Sequence, residues 1–457
     1  MLNLLRLIKL LNLRIASFLT EAVSIVTSKD KLKQLWGIRL YSNALYLMIA
    51  SVVNSLLGFA FWIVAARFYT AEDVGLASAF ISAASLLAMI ANLGLGYGII
   101  RFLSQSGKNA NSLINSSLTL SGLASVVMVL IFLGGLDFWS PALLCLRQSP
   151  AFLITLIIFT TGVTLIALVG DTFVAERRAG FNLANSFIRG LLRLPLPIIL
   201  IALALQSFGI FVSCTIALVV VLLISVFLFL PRVQPGYCPR FAVNRGLIGG
   251  MWRFSFTNYI ANFFLAAPSF ILPIMIVNLL GAETNAYFYI AWMVGLLLCT
   301  IPSATSMSLF AEGSYDEERL GGNVWRSLKL TFLILVPAVI LVLIFADKLL
   351  LLFGSSYSEN ATTLLRIVAL SAPFFAVNSI YLGIKRVEEK LAVIIALASF
   401  TAIATLVPTY FLLPPMGINA AGIAWLAAQG IVALVIVASW LKERKAVRRA
   451  LSLLTKK

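Results

Sequence analysis

Serine and asparagine recur at helical spacing inside stretches that are otherwise apolar. Ser78, Ser82, Ser85 and Asn92 stand at i, i+4, i+7 and i+14, which puts them on one face of a helix. Asn258, Asn262 and Ser269 stand at i, i+4 and i+11, and Ser51, Asn54 and Ser55 cluster in an earlier stretch. Hydroxyls and amides in an apolar helix must face protein or water. Two readings follow: the stripes line a cavity that takes a polar solute, or they hydrogen-bond one helix to the next.

Arginines offer a second chemistry. Arg101 closes the stretch carrying the first stripe, and Arg253 stands just before the second. A guanidinium stays charged and binds phosphate through a planar fork, so this pair is a candidate for meeting an anion. As basic residues flanking apolar helices, the two are equally candidates for topological anchors. Arg67 and Arg366 lie against the general charge bias and suit an anion on the opposite side, or pairing with an acid such as Glu72. No histidine occurs, which removes histidine metal sites, general bases and proton relays. Cys145, Cys214, Cys238 and Cys299 are scattered and outline no disulfide framework. All 17 acids fall in loops or at helix ends, Asp171 being nearest an interior position. No catalytic residue, metal site or cofactor motif emerges.

The elements that must position these residues are membrane helices. Hydrophobic residues make up 61% of the chain and charged ones 11%, far from the roughly 25% charged of a soluble domain. The apolar runs reach the roughly 20 residues needed to cross a hydrocarbon core, too long for barrel strands. Twelve spans are predicted, at 44–69, 75–101, 112–134, 150–170, 186–204, 208–230, 256–280, 286–306, 327–346, 362–383, 391–413 and 418–440. Of the 34 Lys and Arg, only Arg67, Arg147, Lys348 and Arg366 then fall outside. Arg189 and Arg193 are counted at the inner end of the fifth span. The asymmetry predicts a cytoplasmic membrane protein with both termini cytoplasmic. It also accounts for the net charge of +17 through topology and anionic membrane lipids, with no nucleic-acid partner.

Residues 1–43 form a basic segment in which Leu4, Ile8, Leu11, Ile15 and Phe18 recur at amphipathic helical spacing, as in a helix lying in the inner interface. A six-helix lobe at 44–230, a basic cytoplasmic linker at 231–255, a second six-helix lobe at 256–440 and a basic tail at 441–457 complete the organisation. The two halves echo each other: Ala71-Glu72 in the first external turn matches Ala282-Glu283 in the seventh-to-eighth turn. External loops are short except 135–149 and 347–361. Pro268, Pro273 and Pro302 interrupt the backbone bonding of the seventh and eighth spans and favour kinks.

Three stretches carry a family resemblance: ARFYTAEDVGLASAFISAASLLAMIANLGLGYGIIRFLSQ from Ala66, LLFGSSYSENATTLLRIVALSAPFFAVNSIYLGIKRVEEK from Leu351, and PPMGINAAGIAWLAAQ from Pro414. Over about 44–440 the chain resembles the polysaccharide and O-antigen flippase type of the multidrug/oligosaccharidyl-lipid/polysaccharide exporter superfamily. The resemblance implies an all-α protein with two pseudo-symmetric six-helix lobes around a central cavity, lined chiefly by the first, second, seventh and eighth helices. It implies alternating-access transport of a polyprenyl-diphosphate-linked oligosaccharide for surface polysaccharide or glycoconjugate biosynthesis. Glycosyltransferases or a polymerase of the same pathway would be partners. Two other readings stand beside it. One is a cation-coupled drug or metabolite antiporter of the same superfamily, which calls for a carboxylate deep in a lobe. The other is a membrane glycosyltransferase or polymerase, which calls for external carboxylates such as Glu72 and Asp73.

Overall fold

The computed structural model describes residues 39–313 and 320–454. Most of the amphipathic segment read at 1–43 therefore lies outside the described residues. So do the side chains of Arg253, Asn258 and the basic tail from 441. Among the described residues, twelve helices are long and apolar enough to cross a membrane: α1 (Leu45–Phe68), α2 (Ala71–Ala91), α3 (Ala110–Gly134), α4 (Pro150–Ala175), α5 (Gly180–Ile201), α6 (Gln206–Val233), α7 (Tyr259–Leu280), α8 (Ala282–Met307), α9 (Ser327–Leu351), α10 (Ser355–Val387), α11 (Leu391–Met416) and α12 (Asn419–Trp440). The even count puts the start of α1 and the end of α12 on one side, here called the basic face. The fold is the all-α bundle expected, in two six-helix lobes.

Ala71-Glu72 and Ala282-Glu283 open α2 and α8, and the two helix starts pack against each other at the far face. Gly75 makes this approach possible, since a Cβ there would collide with the Ala282 carbonyl. Asn285 donates from Nδ2 to the Gly75 carbonyl at 2.8 Å and to Ser78 Oγ at 3.1 Å. Around this contact both lobes share one core, with Phe61, Trp62 and Val74 from one half against Phe288, Trp292 and Phe353 from the other. The lobes are thus joined at the far face.

Several boundaries differ from the sequence expectation. The second span is not continuous: α2 stops at Ala91, Leu93 and Gly94 take left-handed φ of 54° and 75°, and a short helix Leu95–Phe102 follows. Gly94, Gly96 and Gly98 then let that short helix lie against Ser255, Tyr259 and Met251 of the α7 helix and against Asp171 of α4. That helix begins at Arg245, not 256, and its N-terminal extension leaves the apolar span. The helix of α5 begins at Gly180, six residues earlier than read. The segment 347–361, amphipathic in sequence, is almost entirely helix, because the helix of α9 runs to Leu351 and that of α10 starts at Ser355. Helices α7 and α8 continue through Pro268, Pro273 and Pro302; the non-helical residue inside a long helix is Phe345 in α9.

Candidate functional site

The polar stripe of α2 divides along its length. Toward the far face Ser78 is fully buried, donating to the Gly75 carbonyl and accepting from Asn285, and Ser82 is buried as well. These two are packing residues. Toward the basic face Ser85 and Asn92 line a cavity of ≈ 460 Å³, opposite Asn262 of α7. Asn258 lies on the same helix, its side chain outside the described residues.

Asp171 and Thr164 of α4, Tyr97 of the short helix and Tyr259 of α7 complete the polar lining of this cavity, the Thr164 hydroxyl donating to the Thr160 carbonyl of its own helix. It therefore lies among α2, α4 and α7; of the four helices that the resemblance implied around a central cavity, α2 and α7 contribute to it. α8 is occupied against α2 at the far face, and α1 packs on α5. Asp171 is not beyond the fourth helix but inside it, four residues before its end. Among the described residues it has no ion pair and no hydrogen-bond partner. Gly96 leaves its carboxylate room, since a Cβ there would run into Oδ2.

The arginines sort differently. Arg67 is exposed and donates from Nε and Nη2 to the carbonyls of Leu352 and Leu351, both at 2.8 Å. It thereby caps the C-terminus of the α9 helix, where a cation meets carbonyls without intrahelical partners. Glu72 is not its partner. Arg366 donates from Nε to the Leu343 carbonyl at 3.1 Å, next to the irregular turn at Phe345. Arg101 ends the short helix at the basic face, exposed, with its guanidinium 5.8 Å from the Phe102 ring centre. Arg253 falls in the basic-face extension of the α7 helix.

Two arginines counted as topological from the sequence lie well inside a candidate span and half-buried among other helices. Asn182, Asn185, Ser186, Arg189 and Arg193 stand at i, i+3, i+4, i+7 and i+11 from Gly180 onward, one polar face of α5. Arg189 and Arg193 lie nine and thirteen residues past the helix start, roughly 14 and 20 Å along its axis. Both are half-buried. Arg189 donates from Nη2 to Asn54 Oδ1 of α1 at 2.8 Å. Arg193 lies 5.0 Å from the Phe61 ring centre, and its Nε is buried with no acceptor. It acts electrostatically on Cys214 and on Tyr289 of α8, and Tyr289 touches Trp62 of α1 at 4.8 Å between ring centres. No acid pairs with either arginine among the described residues. Hydropathy hid both, because their own charge lowered the apolar score of the first turns; the five-residue periodicity would have revealed them.

Two far-face carboxylates have structural partners. Asp73 accepts from Thr70 Oγ1 at 2.7 Å and from the Ser207 amide at 2.9 Å, tying the start of α2 to that of α6. Glu283 accepts from Tyr287 one turn on. The four cysteines are free.

A family profile described as a polysaccharide biosynthesis protein matches residues 40–310, more than half of the chain. The chain belongs to that family. A second profile, described as MatE, matches residues 259–411. A putative O-antigen transporter of Shigella flexneri is 29% identical over 153 residues, 32% of this chain and 36% of that relative, so the match spans about a third of its length. Among solved structures, an inward-facing multidrug resistance MATE family transporter of the MOP superfamily aligns with TM-score 0.64 at 17% identity. The alignment covers 88% of this chain and 99% of that one. A MOP superfamily transporter from Pyrococcus furiosus aligns with TM-score 0.59 at 17% identity, covering 90% and 96%. The polysaccharide biosynthesis family chain is thus a multi-pass membrane protein of the flippase type, with the MATE transporter fold.

Proposed function

We propose that this protein moves a polyprenyl-diphosphate-linked oligosaccharide from the cytoplasmic to the external leaflet of the cytoplasmic membrane, by alternating access of lobes 44–230 and 256–440. The observation that carries the reading is Arg189 and Arg193, two guanidinium groups at bilayer depth without an acid, one with a buried Nε lacking an acceptor. Unpaired charge at that depth is costly and marks a substrate path. A diphosphate supplies the missing acceptors in the planar geometry that arginine prefers. In this reading both termini are cytoplasmic, and Arg101 and Arg253 meet the diphosphate first at the cytoplasmic mouth. The joined far face and the open cavity at the basic face correspond to an inward-open state. Pathway glycosyltransferases or a polymerase would supply and consume the substrate.

The test is ligand-dependent stability of the purified protein. Polyprenyl diphosphate near 100 times its dissociation constant adds about 2.7 kcal/mol to a state that binds it, which raises the unfolding midpoint by several degrees. Arg189→Gln and Arg193→Gln should abolish that rise, and polyprenyl monophosphate should give a smaller one. An equal rise in the double variant would remove the arginines from the site; no rise in the wild type would remove the substrate class.

A second reading, a cation-coupled drug antiporter of the same superfamily, is favoured by Asp171, a half-buried carboxylate in the cavity. It predicts that lipophilic cations compete for the cavity and that Asp171→Asn eliminates their uptake into inverted vesicles.

A further inference from the structure

The cavity among α2, α4 and α7 holds more unused hydrogen-bonding capacity than packing needs. Among the described residues, the side chains of Ser85, Asn92 and Asn262, the Tyr97 hydroxyl and the Asp171 carboxylate form no hydrogen bond within the protein. All five line one cavity of ≈ 460 Å³, and none is sealed from solvent as an orphaned buried atom. That volume is in the range of small-molecule sites. No lysine or arginine lines it. Tyr259 donates its hydroxyl to the Met89 carbonyl at 2.6 Å, so its ring and the accepting side of its hydroxyl oxygen are left to a ligand. The chemistry is therefore amides and hydroxyls, which both donate and accept, one carboxylate, which when ionised only accepts, and aromatic faces.

We propose that this cavity is the subsite for the glycan of the lipid-linked substrate, and that Asp171 selects neutral or amino-bearing sugars over acidic ones. The proposal rests on the reading that the protein carries a lipid-linked saccharide. A sugar ring offers what the lining lacks: several hydroxyl donors for a carboxylate without a cation, mixed partners for the amides, and apolar C–H faces for tyrosine rings. An amino group adds a charge-assisted bond to Asp171 and attraction to the aromatic faces. A uronic acid would instead bring a second carboxylate into a half-buried site without a cation, where like charges repel strongly.

A proton-carrying role fits Asp171 less well. The residue lies four positions from the basic-face end of α4, about 6 Å along the axis. Beyond it, toward the far face, the two halves share one buried apolar core. The titratable groups facing it are Tyr97 and Tyr259, and from the other lobe Arg386 acts electrostatically on Tyr97.

The test uses the full chain in vesicles with three fluorescent polyprenyl-diphosphate saccharides whose glycans carry a neutral hexose, an amino sugar or a uronic acid. The wild type should move the first two about tenfold or more faster than the third, the scale of one charged hydrogen bond. Asp171→Asn should cut that preference to within about twofold, mainly by accelerating the acidic substrate. Gly96→Ala, which crowds the carboxylate, should slow the neutral and amino substrates alike. Each variant must elute as the wild type on size exclusion. Equal transport of all three by the wild type, or an unchanged preference in Asp171→Asn, overturns the proposal while leaving the transport reading intact. Loss of pH dependence in Asp171→Asn with the preference unchanged also overturns it, in favour of a proton site. Transport of none of the three by the wild type is the separate failure of the transport reading itself.

Discussion

In the proposed function, single guanidinium and carboxylate groups decide what this bundle carries. Replacing Arg193 by Gln should reduce transport at least tenfold, since one charge-assisted bond is worth about 1.5–3 kcal/mol and about 1.4 kcal/mol is a factor of ten. Lysine there should restore transport only in part, because it keeps the charge and loses the fork. Arg240→Gln, an exposed linker arginine, should leave transport unchanged. If Arg193→Gln and Arg240→Gln behave alike in a rate assay, the depth of Arg193 has no functional meaning. Half of the site was legible in spacing alone. Ser85, Asn92 and Asn262 read as cavity residues and line one, whereas Ser78 and Ser82 share their stripe but are buried, Ser78 against Asn285 of α8. A one-dimensional stripe records which face is polar, and only the neighbouring helix decides whether that face is filled. Arg189 and Arg193 escaped because charge near an apolar run reads as its boundary, although the Asn182-to-Arg193 periodicity continues the helix beneath them.

Helices were the most legible level, and their interruptions the least. The twelve spans follow from the length of apolar runs, and the separation of α5 from α6 exists as expected but falls at 202–205, ahead of the 205–207 that the sequence suggests, with Gln206 and Ser207 already in the α6 helix. The break in α2 gave no such signal, because a left-handed Leu93 beside Gly94 leaves hydropathy unchanged. Gly94 is the residue on which that break depends. Its φ of 75° favours glycine, and a Cβ would press on the Ser255 carbonyl and Tyr259. Gly94→Val should cost at least about 1–2 kcal/mol from the backbone conformation alone and lower the unfolding midpoint in detergent. A midpoint equal to wild type would mean that the break is not held there. Gly75 tests the opposite end. Gly75→Leu should wedge α2 from the Ala282 turn at the far face and shift the protein away from the inward-open state, read as faster alkylation of a cysteine placed at Thr70 from the external side. Unchanged reactivity would show that the α2–α8 contact does not govern access.

At the scale of the whole molecule, the repeat of Ala71-Glu72 and Ala282-Glu283 becomes mechanism. Repeat-related turns meet at the far face, so in the alternating-access cycle proposed above, rocking one lobe against the other separates them as the basic face closes. Spin labels in the turns 70–74 and 281–285 should give two distance populations that polyprenyl-diphosphate saccharide redistributes, since a ligand shifts an equilibrium only through unequal affinity for its states. One distance, indifferent to the ligand, would describe a rigid protein. Orientation rests on the asymmetry of lysine and arginine, and a cysteine introduced in the linker 234–244 should stay protected from an impermeant reagent in intact cells. The most direct measurement of the central claim is leaflet exchange in sealed vesicles containing only this protein and a labelled polyprenyl-diphosphate oligosaccharide. The account predicts exchange well above protein-free vesicles, near background in the Arg189→Gln/Arg193→Gln double variant, with the saccharide recovered chemically intact. Exchange no faster than in empty vesicles, or equal in the double variant, would contradict it.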